Sequence, residues 1–261
     1  MKNILLEIKN NIAYITLNRE EVHNAFDEKT ILELTKAFND IDENNDVRAL
    51  VLKGNGPNFC AGGDLNWMKR SAKFSEKENV EDAAKLALML YTFYHMSKPT
   101  IALVQGAVYG GGVGLAAAAD IVIALENTKF CLSEVKLGLV PSVISPYVVR
   151  AMGSRQMKRY AQTAEIFTAK KAYEMGFIHE PKKTEKEAEQ TLGCILLSIL
   201  SNAPESVNIA KKVVGAIAEY SIDEDVMACT AEWIAECRSS DEGKEGVNAF
   251  LEKRLPNWIK E

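Results

Sequence analysis

The most restrictive feature of this chain is an apolar strand that runs into a cluster of glycines and emerges as an alanine-rich helix. Thr100 to Val104 reads as the strand, Gly106 and Gly110-Gly111-Gly112 as the turn, and Leu115 to Ala119 as the helix. A second buried run, Ala49 to Leu52, passes through Gly54-Asn55-Gly56-Pro57 into Phe59-Cys60-Ala61-Gly62-Gly63-Asp64-Leu65. Two strands ending in glycine turns, with helices interleaved, predict an α/β layered core.

The rest of the pattern fits. Ile4, Leu6 and Ile8 alternate at period two, as do Ala13, Ile15 and Leu17. Asp27 is placed to cap a helix whose apolar side is Ile31, Leu34 and Phe38. A helical segment covers Val80 to Met96, and strands are expected at Ile121 to Ala124 and Lys129 to Leu132. From about Thr184 the pattern is almost wholly helical, with breaks at Asn202-Ala203-Pro204, at Tyr220-Ser221 before a capping Asp223, and at Ser239 to Gly243. At 261 residues and 47% hydrophobic, the chain is long enough for one large core with an appendage.

Charge and cysteine usage exclude several functions. A net charge of −5, from 31 basic and 36 acidic residues, argues against a general nucleic-acid binder. Five scattered cysteines and three histidines show no metal-ligand spacing, so no metal is expected. Unpaired thiols, a strand pattern starting at Ile4 and no apolar run of membrane-spanning length predict a cytoplasmic protein.

The chemistry gathers in three segments: the turn at Gly62-Gly63, the turn at Gly110 to Gly112, and Ser133-Glu134-Val135. Glycine lets main chain approach a ligand closely, and a helix N-terminus adds unsatisfied donors and partial positive charge. Two such N–H groups converging on one point form an oxyanion hole. A catalytic Glu134 needs an apolar pocket that raises its pKa, for which Leu132, Val135 and Leu137 are the nearest material.

These segments in this order, with LNREEVHNAF near the start, SEVKLGLVPSVISP in the middle and EGVNAFLEKR near the end, resemble the crotonase (enoyl-CoA hydratase/isomerase) superfamily over nearly the full length. The resemblance implies a spiral of ββα units over residues 1–200 and a helical, trimerising region over 201–261. It places oxyanion donors on the N–H groups of Gly63 and Gly111 and a catalytic acid at Glu134. Ala61, Gly63, Asp64, Leu65, Asn66 and Gly111 would line the acyl-CoA cleft, and Phe250 and Lys253 would meet the CoA nucleotide, often across a subunit boundary. CoA enters as part of the substrate, with no other cofactor. The implied assembly is a homotrimer or a hexamer of two trimers, with no membrane and no nucleic acid as partner.

One position departs from the family's two-glutamate pattern. The second glutamate is expected three residues after Gly111, where this chain has Gly114. The combination of CAGGDLNWM, Gly114 and SEVKLGLVPSVISPYVV is most similar to bacterial methylglutaconyl-CoA hydratases. The expected activity is hydration of a 2-enoyl-CoA. A 3,2-enoyl-CoA isomerase using one glutamate is the rival, and a non-catalytic acyl-CoA or RNA binder is the rival of another class.

Other residues have plainer expected roles. Asp120 reads as a buried, hydrogen-bonded structural acid, Cys60 as packing and His23 as a structural hydrogen-bonding group. Trp67 and Met68 either roof the acyl pocket or pack the next helix, and Lys69 and Arg70 are candidates for CoA phosphates.

Overall fold

The computed structural model describes residues 2–218 and 220–259. The chain divides into two compact units, one made of Met1–Met96 and Thr100–Leu192, the other of Ser97–Pro99 and Gly193–Glu261.

The first unit holds all the strands of the described residues. They are β1 (Ile4–Lys9), β2 (Ile12–Leu17), β3 (Ala49–Gly54), β4 (Thr100–Val104), β5 (Ala107–Tyr109), β6 (Ile121–Leu125), β7 (Lys129–Cys131), β8 (Phe167–Thr168) and β9 (Glu180–Lys182). Its helices are α1 (Glu28–Glu43), α2 (Leu65–Ser71), α3 (Glu76–Tyr94), α4 (Gly111–Ala118), α5 (Ser145–Thr163) and α6 (Ala169–Glu174), and α7 (Glu185–Ser201) begins there. A six-stranded sheet runs β1-β2-β3-β4-β6-β9 and a three-stranded one runs β5-β7-β8. Only the β1–β2 pair of the larger sheet is antiparallel.

From β4 to β7 consecutive strands alternate between the sheets, and this makes the spiral. β4 leads to β5 and then α4; β6 leads to β7 and then α5. After β3, Cys60 takes the place of a second strand through a single parallel bridge to Val108 of β5. Each ββα turn therefore ends in a loop at the same edge. Parallel strands covered on both sides need apolar runs rather than alternation, and Leu50, Val51, Leu52, Ile101 and Ala102 are all fully buried. β1 is an edge strand with only Ile4 buried, so the alternation at Leu6 and Ile8 (46% exposed each) faces no core among the described residues.

Caps set the helix starts. Asp27 accepts from Thr30 N at the head of α1, as its position predicts. α3 begins earlier than the apolar pattern suggests, because Ser75 and Glu78 form a reciprocal capping box in a polar stretch. Asp120 accepts from the backbone N–H and hydroxyl of Thr100. It is structural as expected, but exposed rather than buried, because it lies in the bend between α4 and β6.

The second unit is helical: the end of α7, then α8 (Pro204–Ile217), α9 (Glu224–Ser239) and α10 (Asp241–Glu252). Glu242 accepts from the backbone N–H groups of Glu205 and Ser206 at the start of α8, and Arg254 grips Glu245 through two 2.7 Å bonds. Neither α8 nor α9 buries a residue, and Val214, Met227 and Ile234 are exposed. No single helix of the described residues is long and apolar enough to cross a membrane.

Candidate active site

The two glycine turns lie side by side. Tyr109 N donates to Cys60 O (2.9 Å), and Cys60 N donates to Ala107 O (3.2 Å). The first turn needs Gly62 at φ 102° and the second needs Gly110 at φ 49°, ψ −119°, conformations that side chains resist.

Peptide planarity fixes where the next N–H points in each turn. Gly62 O accepts from Phe26 N (2.8 Å), so the Gly63 N–H on the same peptide points away from Phe26. Gly110 O accepts from Val113 N (2.9 Å) and Gly114 N (3.3 Å), so the Gly111 N–H points out of the N-terminal end of α4. Neither N–H has an acceptor among the described residues. Gly111 has no room for a side chain: a Cβ there would stand 2.6 Å from Phe26 Cε2.

Glu134 opens a short 3₁₀ turn (Glu134–Leu137) after β7 and closes on this pair. Its Oε1 would lie 3.2 Å from a Cβ on Gly110, a position itself 3.8 Å from Gly62 Cα. Its Oε2 is buried without a hydrogen-bond partner. Desolvation by burial raises the Glu134 pKa, opposed only by a hydrogen bond from its own backbone. Of the flanking apolar residues Leu132 is fully buried, Val135 is half-buried, and Leu137 is 60% exposed at the far end of the 3₁₀ turn.

Gly114 is filled by another residue's side chain. A Cβ there would be 2.3 Å from Ile144 Cγ2 and 3.5 Å from Leu90 Cδ1, and both neighbours are buried. Any larger residue at 114 requires Ile144 to move.

A polar lattice holds the first turn. Asp64 is 4% exposed; its Oδ1 caps α2 through Asn66 N (2.7 Å) and Trp67 N (3.1 Å), and its Oδ2 pairs with Arg19 (2.9 Å). Despite desolvation, the largest single influence, the two cap bonds and Arg19 together lower its pKa. Asn24 donates to Asn55 O and Asn58 O, and Asn58 accepts from Ala107 N while facing His23 Nδ1 at 3.0 Å. Asn58 carries no sequence signal of a role at the site, and Arg19 and Asn24 are marked only by lying in LNREEVHNAF; their importance follows from contacts 31 to 49 residues away.

The structure brings Ala61, Gly63, Asp64, Leu65, Asn66, Gly111 and Glu134 into this neighbourhood. Leu65 is 72% exposed, and Asp64 spends its carboxylate internally. Cys60 is fully buried with its thiol pushed up to about 12 by desolvation, as befits packing. Trp67 and Met68 both reach to 3.7 Å of a Cβ position on Gly63, and the Trp67 indole donates to the buried Asp82 of α3. Trp67 thus packs against the next helix while lying beside Gly63. Arg70 is engaged with Glu28 rather than standing free. Phe250 (82% exposed) is on α10 and Lys253 is the left-handed residue that ends it, both in the second unit. An open cavity of about 270 Å³ lies elsewhere in the first unit, between Lys53, Gln105, Glu185 and Glu189, and contains none of the expected site residues.

Comparison with known proteins identifies the family. The family model described as enoyl-CoA hydratase/isomerase matches residues 7–261. A crotonyl-CoA hydratase of Syntrophomonas wolfei is 30% identical over 263 residues, covering 99% of this chain and 98% of its own. A trans-2-decenoyl-[acyl-carrier-protein] isomerase of Streptococcus mutans is 30% identical over 264 residues, covering 98% of each. A solved enoyl-CoA hydratase from Shewanella pealeana superposes with a TM-score of 0.95 at 43% identity, covering 98% of this chain and 96% of that one.

Proposed function

The chain belongs to the enoyl-CoA hydratase/isomerase family, and from that premise we propose that it adds water to a 2-enoyl-CoA thioester. The observation that carries the reading is the pair of unpartnered N–H groups on adjacent turns, with the unpaired buried oxygen of Glu134 beside them. The thioester oxygen accepts from Gly63 and Gly111. As water oxygen bonds to Cβ, negative charge gathers on that thioester oxygen, where fixed donors stabilise it without reorganising. Glu134 takes a proton from the attacking water and returns it to Cα. Its raised pKa brings it toward the range where it does both.

Ala61, Asp64, Leu65 and Asn66 line the CoA cleft, Asp64 through its backbone because its carboxylate is occupied. Phe250 and Lys253 meet the nucleotide, contributed by a neighbouring copy in a trimer or hexamer. The exposed apolar residues of α8 and α9 supply surface for such an assembly. The enzyme acts in the cytoplasm with no cofactor besides substrate CoA, and its substrate is a branched enoyl-CoA such as 3-methylglutaconyl-CoA.

A second reading has its own observation. Ile144 occupies the space at Gly114, so no second carboxylate can stand there to hold water. A lone acid suffices for 3,2-enoyl-CoA isomerisation, which only removes a proton and returns it two carbons away. Incubation with crotonyl-CoA, 3-methylglutaconyl-CoA and a 3-enoyl-CoA in ¹⁸O-water separates the two. Loss of enoyl absorbance with label in the product supports hydration, and double-bond migration without label supports isomerisation. No turnover of any of them, with acyl-CoA or RNA still bound, overturns both in favour of a binding protein.

A further inference from the structure

Arg19 lies in the LNREEVHNAF segment, holds Asp64 beside the first turn, and has a side chain only 15% exposed. Its Nη1 donates to Ala25 O at 2.6 Å. The same peptide carries the Phe26 N–H, which donates to Gly62 O at 2.8 Å, and that next peptide carries the Gly63 N–H. Guanidinium, first peptide, second peptide and the free Gly63 N–H therefore form one head-to-tail chain. Each peptide is a planar, polarisable dipole, so a cation at one end strengthens the donor at the other, by roughly 10–30% per bond.

The other Arg19 contacts serve the same turn. Nη2 meets Asp64 Oδ2 at 2.9 Å and Asp27 Oδ2 at 3.3 Å, so the caps of α2 and α1 are both fixed to one guanidinium. Those two carboxylates offset the long-range field of the cation. What reaches Gly63 travels through the bonded peptides. The planar fork serves a carbonyl and carboxylates in different directions at once, which an ammonium does only in part.

We infer that Arg19 is a positioning residue: it orients the Gly63 N–H and strengthens it as a donor to the thioester oxygen through the Ala25–Phe26 and Gly62–Gly63 peptides. This deepens the reading of the site as an oxyanion hole and rests on it.

The test uses the full-length parent, Arg19→Lys and the double variant Arg19→Gln/Asp64→Asn, which avoids leaving an unpaired buried carboxylate while keeping a cap at 64. Three quantities are measured: crotonyl-CoA kinetics, the infrared carbonyl band of bound ¹³C-thioester butyryl-CoA, and the amide proton shifts of Phe26 and Gly63 in ligand-free protein. The expected result is a kcat lower by roughly three- to thirtyfold, short of the loss on deleting a whole oxyanion donor. KM stays within about threefold of the parent's, the carbonyl band is displaced less on binding, and the Phe26 and Gly63 amide protons move upfield. Arg19→Lys recovers part of the kcat, because its charge persists without the fork. Unchanged kcat, band and amide shifts overturn the inference, as does a loss that appears only as unfolding. If the parent itself neither turns over crotonyl-CoA nor shifts the butyryl-CoA band, the oxyanion reading has failed. The amide shifts then still decide whether Arg19 acts on the Gly63 N–H.

Discussion

The turn at Gly62-Gly63 and the turn at Gly110-Gly111 each expose one unpartnered N–H, and they do so by opposite means. Behind Gly111 stands α4, whose first turn fixes the peptide through main-chain bonds alone and needs no side-chain cap. Gly63 has only the single-bridge pairing with Phe26, so its orientation depends on side chains brought from a distance: Arg19, Asn24, Asn58 and Asp64. A donor built on a helix is disturbed mainly by volume. One built on a polar lattice is disturbed by charge and hydrogen bonding. Phe26 is common to both, since its backbone holds Gly62 and its ring packs against Gly111.

The largest expected effect is at the acid the two turns share. Glu134→Gln lowers kcat by roughly a hundred- to ten-thousandfold with acyl-CoA binding retained, measured by steady-state kinetics and calorimetry. Because burial raises the Glu134 pKa, ionising it costs stability as pH rises above the ordinary carboxylate range. The Gln variant is thus more stable than the parent at neutral pH, and the gap closes in acid. Urea midpoints at the two pH values check the sign.

Next is Gly111→Ala. The added methyl meets the Phe26 ring, so the helix-borne turn cannot be strained without moving the other. A kcat loss of roughly a hundredfold or more is expected, with about 1–3 kcal/mol of overpacking strain that does not vary with pH.

Asp64→Ala acts through polar contacts. Losing the cap of α2 costs about 1 kcal/mol near neutral pH. The folded pKa of Asp64 is depressed, so its contribution is present above the ordinary carboxylate range and lost as pH falls through the folded value. Denaturation at pH 7 and in acid therefore shows a gap that narrows, unlike that of Gly111→Ala.

The smallest effect belongs to Gly63→Ala, whose Cβ would meet Met68 and Trp67 only at ordinary contact distances, 3.6 and 3.7 Å. A kcat within about tenfold of the parent's and a nearly unchanged Tm are expected. If Gly63→Ala costs as much as Gly111→Ala, the contrast between the turns is wrong.

An element is legible in sequence only where an apolar run is long enough or a cap is overt. β4 begins and ends where its apolar run does, and α1 starts after Asp27. β5 hides inside a glycine motif because three residues are too few for a pattern, and its pairing partners β7 and Cys60 lie elsewhere in the chain. α5, with φ 79° at Gly153 inside it, was equally unreadable in the sequence. Glu134 was legible as an acid in a suggestive segment. Its lack of a hydrogen-bond partner was not, since that depends on what else arrives.

The sequence by itself determined the local conditions: which strands are apolar enough to be buried, where glycine permits a turn, and that position 114 carries no side chain. Only the tertiary structure decided what fills the space at Gly114, which peptide plane each turn presents, and that Arg19 anchors a loop 45 residues ahead of it. The reason is physical: conformational permission is a property of one residue and its neighbours, whereas the direction of an N–H is fixed by the partner on the other side of its peptide. Here that partner comes from another turn of the spiral or from the far end of a side chain.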